Sequence, residues 1–151
     1  MKAGAVLVVL VTVLSACGIR PTGTIIAGGP PLADREHPPN TLYLVRDGRL
    51  VPVRRPGVED DRLLAFHQLR SGPTEEERNR GMTSAVPEDL KVGFAETGVR
   101  VDASGERPLP RPALAQLACT ATALPGVKAI EVADGTPDPP TYTCADFHDL
   151  R

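Results

Sequence analysis

From Thr41 onward, apolar and polar positions fall into regular patterns. In TLYLVRDGRLVPVRR, two apolar-rich runs flank Asp47-Gly48, a dipeptide that favours a tight hairpin turn. Leu42 and Leu44 alternate with Tyr43 and Val45, so at least one of the two strands is expected to be buried on both faces. Pro52 places the second run at an edge or makes it short. The period then changes. Leu63, Ala65, Phe66 and Leu69 form a helical set behind Glu59, Asp60 and Asp61. Acidic residues there would complement the helix dipole, and Gly72 stands where a C-terminal cap belongs.

The stretch GPTEEERNRG places three carboxylates side by side. Catalytic carboxylates face each other across a substrate, whereas neighbours at i and i+1 on a helix point in different directions. Thr74 and Glu77 instead have the Ser/Thr-x-x-Glu spacing of a capping box, and Gly81 offers a left-handed stop. These residues are therefore read as helix-capping. Glu75 and Glu76 then occupy the positive first turn of a short helix.

Two further extended runs, residues 91–96 and 99–102, meet at Thr97-Gly98. Leu114, Leu117, Ala118, Ala121 and Leu124 carry the clearest helical period in the chain, with Pro112 in the first turn and Pro125-Gly126 at the end. Val127, Ile130 and Val132 suggest a last strand before a proline-rich, irregular tail. The order is strand-strand-helix, short helix, strand-strand-helix-strand. It predicts an α+β fold: a single small domain with a mixed sheet covered on one face by two main helices.

Residues 1–40 lack this patterning. Lys2, an apolar run from Ala3 to Leu14 and the small residues before Cys17 make a secretory signal. The run is shorter than the ~20 residues a membrane span needs. Leu14-Ser15-Ala16-Cys17 resembles the bacterial lipobox, in which cleavage precedes a cysteine that becomes diacylglyceryl-modified. The alternative is an ordinary secretion signal with a chance cysteine. The lipobox reading makes residues 1–16 a lipoprotein signal peptide and Cys17 the lipidation site. The protein would then be lipid-anchored at the extracytoplasmic face of the cell membrane, with membrane lipid as its first partner. Residues 17–40, rich in Gly and Pro after the anchor, read as a flexible linker whose root-mean-square span is roughly 25–30 Å. The domain is expected at 41–136, with 137–151 as the C-terminal tail.

Charge and cysteine count sharpen this picture. Loss of Lys2 with the signal would move the net charge from −2 to −3, and aromatics make up only 3% of the chain. That combination argues against a nucleic-acid surface. With Cys17 as anchor, Cys119 and Cys144 remain, an even pair in an oxidising compartment. They are read as a disulfide strapping the tail across the second main helix; two free thiols are the alternative. His37, His67 and His148 lack metal-ligand spacing, so no metal or cofactor is expected. Neither a Gly-x-Ser-x-Gly elbow nor a Ser-x-x-Lys motif occurs.

LYLVRDGRLVPVRR, LRSGPTEEERNRGMTSAVP, VRVD and ALAQLACTATALPGVKAIEVADG resemble successive blocks of the GerMN domain, found in spore-germination-type and other bacterial lipoproteins. Gly72-Pro73-Thr74 with Gly81, and Gln116 followed by Pro125-Gly126-Val127 and Asp134-Gly135, are the most specific parts. The similarity covers roughly residues 41–136. It implies an α+β domain displayed outside the cytoplasmic membrane, with no catalytic residues to carry over. Cys119 departs from the family pattern, in which aromatic or aliphatic residues are usual. The expectation is a non-enzymatic interaction module for envelope, sporulation or germination proteins. The alternative is a binder of a small molecule or cell-wall polymer, for which the few aromatic side chains offer little stacking surface. Glu59–Asp61 and Glu75–Glu77 read as a solvated surface or as a negative face for a basic partner. The strand around Pro52 is a candidate edge for pairing with another chain.

Overall fold

A computed structural model describes residues 39–58, 60–96, 98–103 and 108–151; Cys17, the linker and His37 lie outside the described residues. Asp47 and Gly48 adopt φ of 53° and 75°, both positive as a type I′ turn requires. The turn joins β1 (Asn40–Arg46) to β2 (Arg49–Arg55) in an antiparallel pair with Arg46 opposite Arg49 and Tyr43 opposite Pro52. Leu42 and Leu44 are fully buried, while Tyr43 and Val45 on the other face are half-buried against the same core. β1 is thus covered on both faces.

Helix α1 (Leu64–Arg70) buries Ala65, Phe66 and Leu69 and ends before Gly72, whose φ is 77°. Its start differs from the sequence expectation, because no acidic residue lies in its first turn. Asp60 adopts a left-handed φ of 69°, and Asp61 Oδ1 accepts from Leu63 N at 3.0 Å. Aspartate side chains bond nearby backbone outside the helix, and here they shape the approach to α1. Glu59 lies outside the described residues.

Helix α2 (Glu75–Asn79) carries the capping box: Thr74 Oγ1 accepts from Glu77 N at 3.3 Å, and Thr74 N donates to Glu77 Oε2 at 2.7 Å. Gly81, at φ 77°, turns the chain away.

The remaining strands, β3 (Lys91–Ala95), β4 (Gly98–Asp102), β5 (Ile130–Ala133) and β6 (Thr141–Tyr142), form a sheet in the order β3-β4-β5-β6. β4 and β5 are parallel and the other pairs antiparallel. A parallel pair needs a crossover, and helix α3 (Arg111–Thr122) supplies it. Val99, Val101, Ile130 and Val132 turn one face of the sheet into the core.

Two features correct the expected layering. First, β1 and β2 form a sheet of their own. The edge of β1 not facing β2 is occupied instead: Val45 and Thr83 exchange backbone bonds at 2.9 and 2.8 Å, and Tyr43 N donates to Thr120 Oγ1 at 3.1 Å. Gln116, fully buried, donates to Tyr43 O at 2.9 Å and accepts from Ala85 N at 2.7 Å. Helix α3 is accordingly buried almost all round, from Ala113 to Ala121 save Leu114. Its alanines allow close approach on several sides.

Second, the tail is not irregular. It supplies β6 and a run of 3-10 turns, Cys144–Leu150, within the same compact unit. Phe147 is only 1% exposed and belongs to the core. The Arg111 guanidinium lies 5.1 Å from the centre of its ring and pairs with Asp149 at 2.7 Å. Proline-rich residues hid this element, because its hold on the body comes from side chains far along the chain.

Replacing Gln116 with alanine would leave Ala85 N–H and Tyr43 C=O without their partners. Each orphaned buried group costs ~1–3 kcal/mol, so the urea midpoint should fall by an amount equivalent to about 2–4 kcal/mol. An unchanged midpoint at constant m-value would show that the bonds to Gln116 contribute nothing net.

Candidate functional site

The face of the four-stranded sheet turned away from the core carries a surface concavity. Strand alternation builds it. With Val99 and Val101 pointing inward, Arg100 and Asp102 point outward, beside Lys91 and Gly93 of β3 and Glu131 and Ala133 of β5. Lys91, Gly93, Arg100, Asp102 and Ala133, with Gly135 and Thr136 of the turn after β5, border an open groove of about 530 Å³. Asp134 Oδ1 shapes that turn by accepting from Thr136 N at 3.0 Å and from its hydroxyl at 2.6 Å. The Thr136 hydroxyl and amide hold the Asp134 carboxyl below its usual range. Gly135, at φ 89°, completes the turn.

Arg100 forms an ion pair with Glu131 while staying half-exposed. At one rim Phe94 is 43% exposed, with the Arg62 guanidinium 4.5 Å from its ring centre. The lining supplies cations from Lys91 and Arg100 and a carboxylate from Asp102, and Val92 and Phe94, whose side chains share the face of Val99 and Val101, border it at the edge of β3. It holds no histidine, cysteine or serine. Such a surface suits a peptide or polar chain held by charge and backbone contacts.

The residues singled out in the sequence fall elsewhere. Thr74, Glu77 and Gly81 cap α2. Glu75 and Glu76 are exposed, and Glu76 pairs with Arg80. Glu77 is buried and receives two bonds from the Arg55 guanidinium, which also donates to Gln68 O at 3.1 Å and Gly72 O at 3.0 Å. Burial would raise the Glu77 carboxyl, but bonds from Arg55 and the Thr74 amide, with the arginine charge, bring it below its ordinary value. This clamp joins the end of β2 to the end of α1 and the start of α2.

Cys119 and Cys144 are disulfide-bonded, with Cα atoms 4.4 Å apart. His67 and His148 are both exposed, on α1 and the tail. Among the described residues, no three His, Cys, Asp or Glu side chains gather as a metal would need, and no helix is long and apolar enough to cross a membrane. Sequence reasoning missed Arg55 and the stitching role of Gln116. The resemblance had marked Gln116 without giving it a role, and it lies off the apolar stripe of Leu114, Leu117, Ala118 and Ala121, so the helical period did not place it in the core.

Residues 33–138 match the family model Germane, described as sporulation and spore germination. The chain belongs to the Germane family. Among solved structures, the tandem GerMN domains of the sporulation protein GerM from Bacillus subtilis share its fold, with a TM-score of 0.51 and 24% identity. The match covers 65% of this chain and 39% of that one, so this Germane chain spans about two fifths of that structure's length. A comparison with curated proteins yields no match.

Proposed function

We propose that this Germane domain is a non-catalytic interaction module, carried on a membrane-anchored lipoprotein and presented outside the cytoplasmic membrane to envelope, sporulation or germination proteins. One observation carries the interaction reading. The outward face of the β3-β4-β5 sheet joins an open groove to charges of both signs, with Lys91, Arg100 and Asp102 in its lining. The Cys119–Cys144 disulfide supports an oxidising location, and Leu14-Ser15-Ala16-Cys17 supports the anchor. Lipid at Cys17 would hold the chain at the membrane while the groove remained available to a protein partner.

Cross-linking in intact cells with an affinity-tagged full chain tests this reading. One or two envelope proteins should be recovered reproducibly with the anchored form. Recovery should fall at least about tenfold, the factor ~1.4 kcal/mol of binding energy represents, when Lys91→Glu alters the groove. The Cys17→Ala variant should leave the membrane fraction and lose the same partners. Recovery of wall fragments or a small ligand alone would replace a protein partner with the other binder class. Partners unaffected by Lys91→Glu would remove the groove from the interaction.

A further inference from the structure

We propose that β3 pairs antiparallel with β3 of a second copy of this chain, across a two-fold axis at Gly93. The direction of the backbone groups makes that edge available. Ala103 N donates to Ala133 O at 2.8 Å, so alternate residues of β4 aim their backbone groups at β5. Gly98, Arg100 and Asp102 therefore aim at β3, where they face Ala95, Gly93 and Lys91. Alternation leaves the N–H and C=O groups of Val92 and Phe94 pointing out from the open edge.

The outer edge of β2 is treated differently. Tyr43 and Val45 turn their backbone groups away from β2, so their partners Pro52 and Leu50 turn theirs to the outside. Pro52 has no N–H to offer, and Arg54 two residues on is exposed. Proline and charge are the usual protections of an edge strand. The pairing edge anticipated around Pro52 is thus blunted. In β3, residues 92–95, Val-Gly-Phe-Ala, contain neither proline nor charge.

The side chains favour a second copy as occupant. A register centred on Gly93 sets Val92 opposite Phe94 of the other protomer, and Lys91 opposite Ala95. Apolar residues then meet apolar residues, and the two lysines stand at opposite ends of the pair. Gly93 would face itself in a non-hydrogen-bonded position, where Cα atoms approach to ~4.5 Å and the lack of side chains permits close contact. The interface is isologous and short, below the ~1,200 Å² of a standard stable interface. The dimer is therefore weak and concentration-dependent. It uses the edge of β3, which also borders the groove, and the two readings are told apart by their readouts: partner recovery in cells for the groove, and the 93–93 cross-link on the isolated chain for the pairing.

The test uses the full chain in mild detergent with a cysteine at position 93. A Cβ at Gly93 meets no atom within 4 Å, and the spacing across the axis lies within the ~4.4–6.8 Å Cα range of disulfides. Under oxidant, Gly93→Cys should give a disulfide-linked dimer containing a 93–93 peptide. It should form at least about tenfold faster than the dimer of a Pro52→Cys control, as ~1.4 kcal/mol of pairing would produce. Adding Phe94→Lys, with the fold verified by thermal melting, should return the rate to that of the control. Equal rates for the two cysteine variants, or cross-linking indifferent to Phe94→Lys in the folded protein, would overturn the pairing.

Discussion

Replacing Arg55 with alanine should destabilise the domain by about 3–5 kcal/mol, the usual cost of removing one partner from a buried ion pair. The side chains of Arg55 and Glu77 are 12% and 10% exposed, so water cannot readily replace the lost guanidinium. Arg55 also satisfies Gln68 O and Gly72 O at the end of α1, which would be left without their charged donor. Glu77→Ala should cost a similar amount, because it breaks the same pair and the capping box together. The double variant should cost less than the sum of the two, since both changes remove one interaction. Urea unfolding of the three variants beside Arg80→Ala, on an exposed pair, measures the difference. A loss no larger than that of Arg80→Ala would show that the clamp contributes no more than a surface contact.

The same pair gives a pH dependence with a defined sign. The folded Glu77 carboxyl lies below its ordinary 4.5. Its contribution is therefore complete above that value and is lost as pH falls from 4.5 through the lowered folded value. Melting temperatures of wild type and Glu77→Gln should consequently converge below pH 4.5. The comparison is needed because Asp134, Asp146 and Asp149 are also held low by hydrogen bonds and titrate in both proteins.

Opening the Cys119–Cys144 bond should cost roughly 3–4 kcal/mol in the chain-entropy model for its 25-residue separation. Its effect should be local as well as global. The bond fastens the 3-10 turns to α3, next to Phe147 and the Arg111–Asp149 pair. In Cys119→Ala/Cys144→Ala, amide exchange should accelerate first in residues 141–150, while β1 and β4 keep their protection until global unfolding. Uniform acceleration along the whole chain would mean that the tail unfolds only with the rest of the domain.

Much of the local structure was legible in the sequence because neighbouring residues determine it. Asp47-Gly48 specified the hairpin turn, Thr74-x-x-Glu77 specified the start of α2, and the spacing of Leu114, Leu117, Ala118 and Ala121 specified α3. The Germane resemblance rested on these same blocks, and the family match bears it out. Single-file patterning did not reveal which polar groups would meet across the fold. Arg55 finds Glu77 only when β2 and α2 come together, and Gln116 became a stitch only when α3 was set against the open edge of β1. That contact kept the hairpin as a separate sheet. The tail was misread for the same reason: β6 rests on two paired residues and Phe147 on a distant core. The sequence by itself determined turns, caps and helical faces, where the interacting groups lie within a few residues of one another. Only the tertiary structure decided the two-sheet arrangement, the buried clamp and the open edge of β3, because each depends on backbone groups brought together from distant parts of the chain.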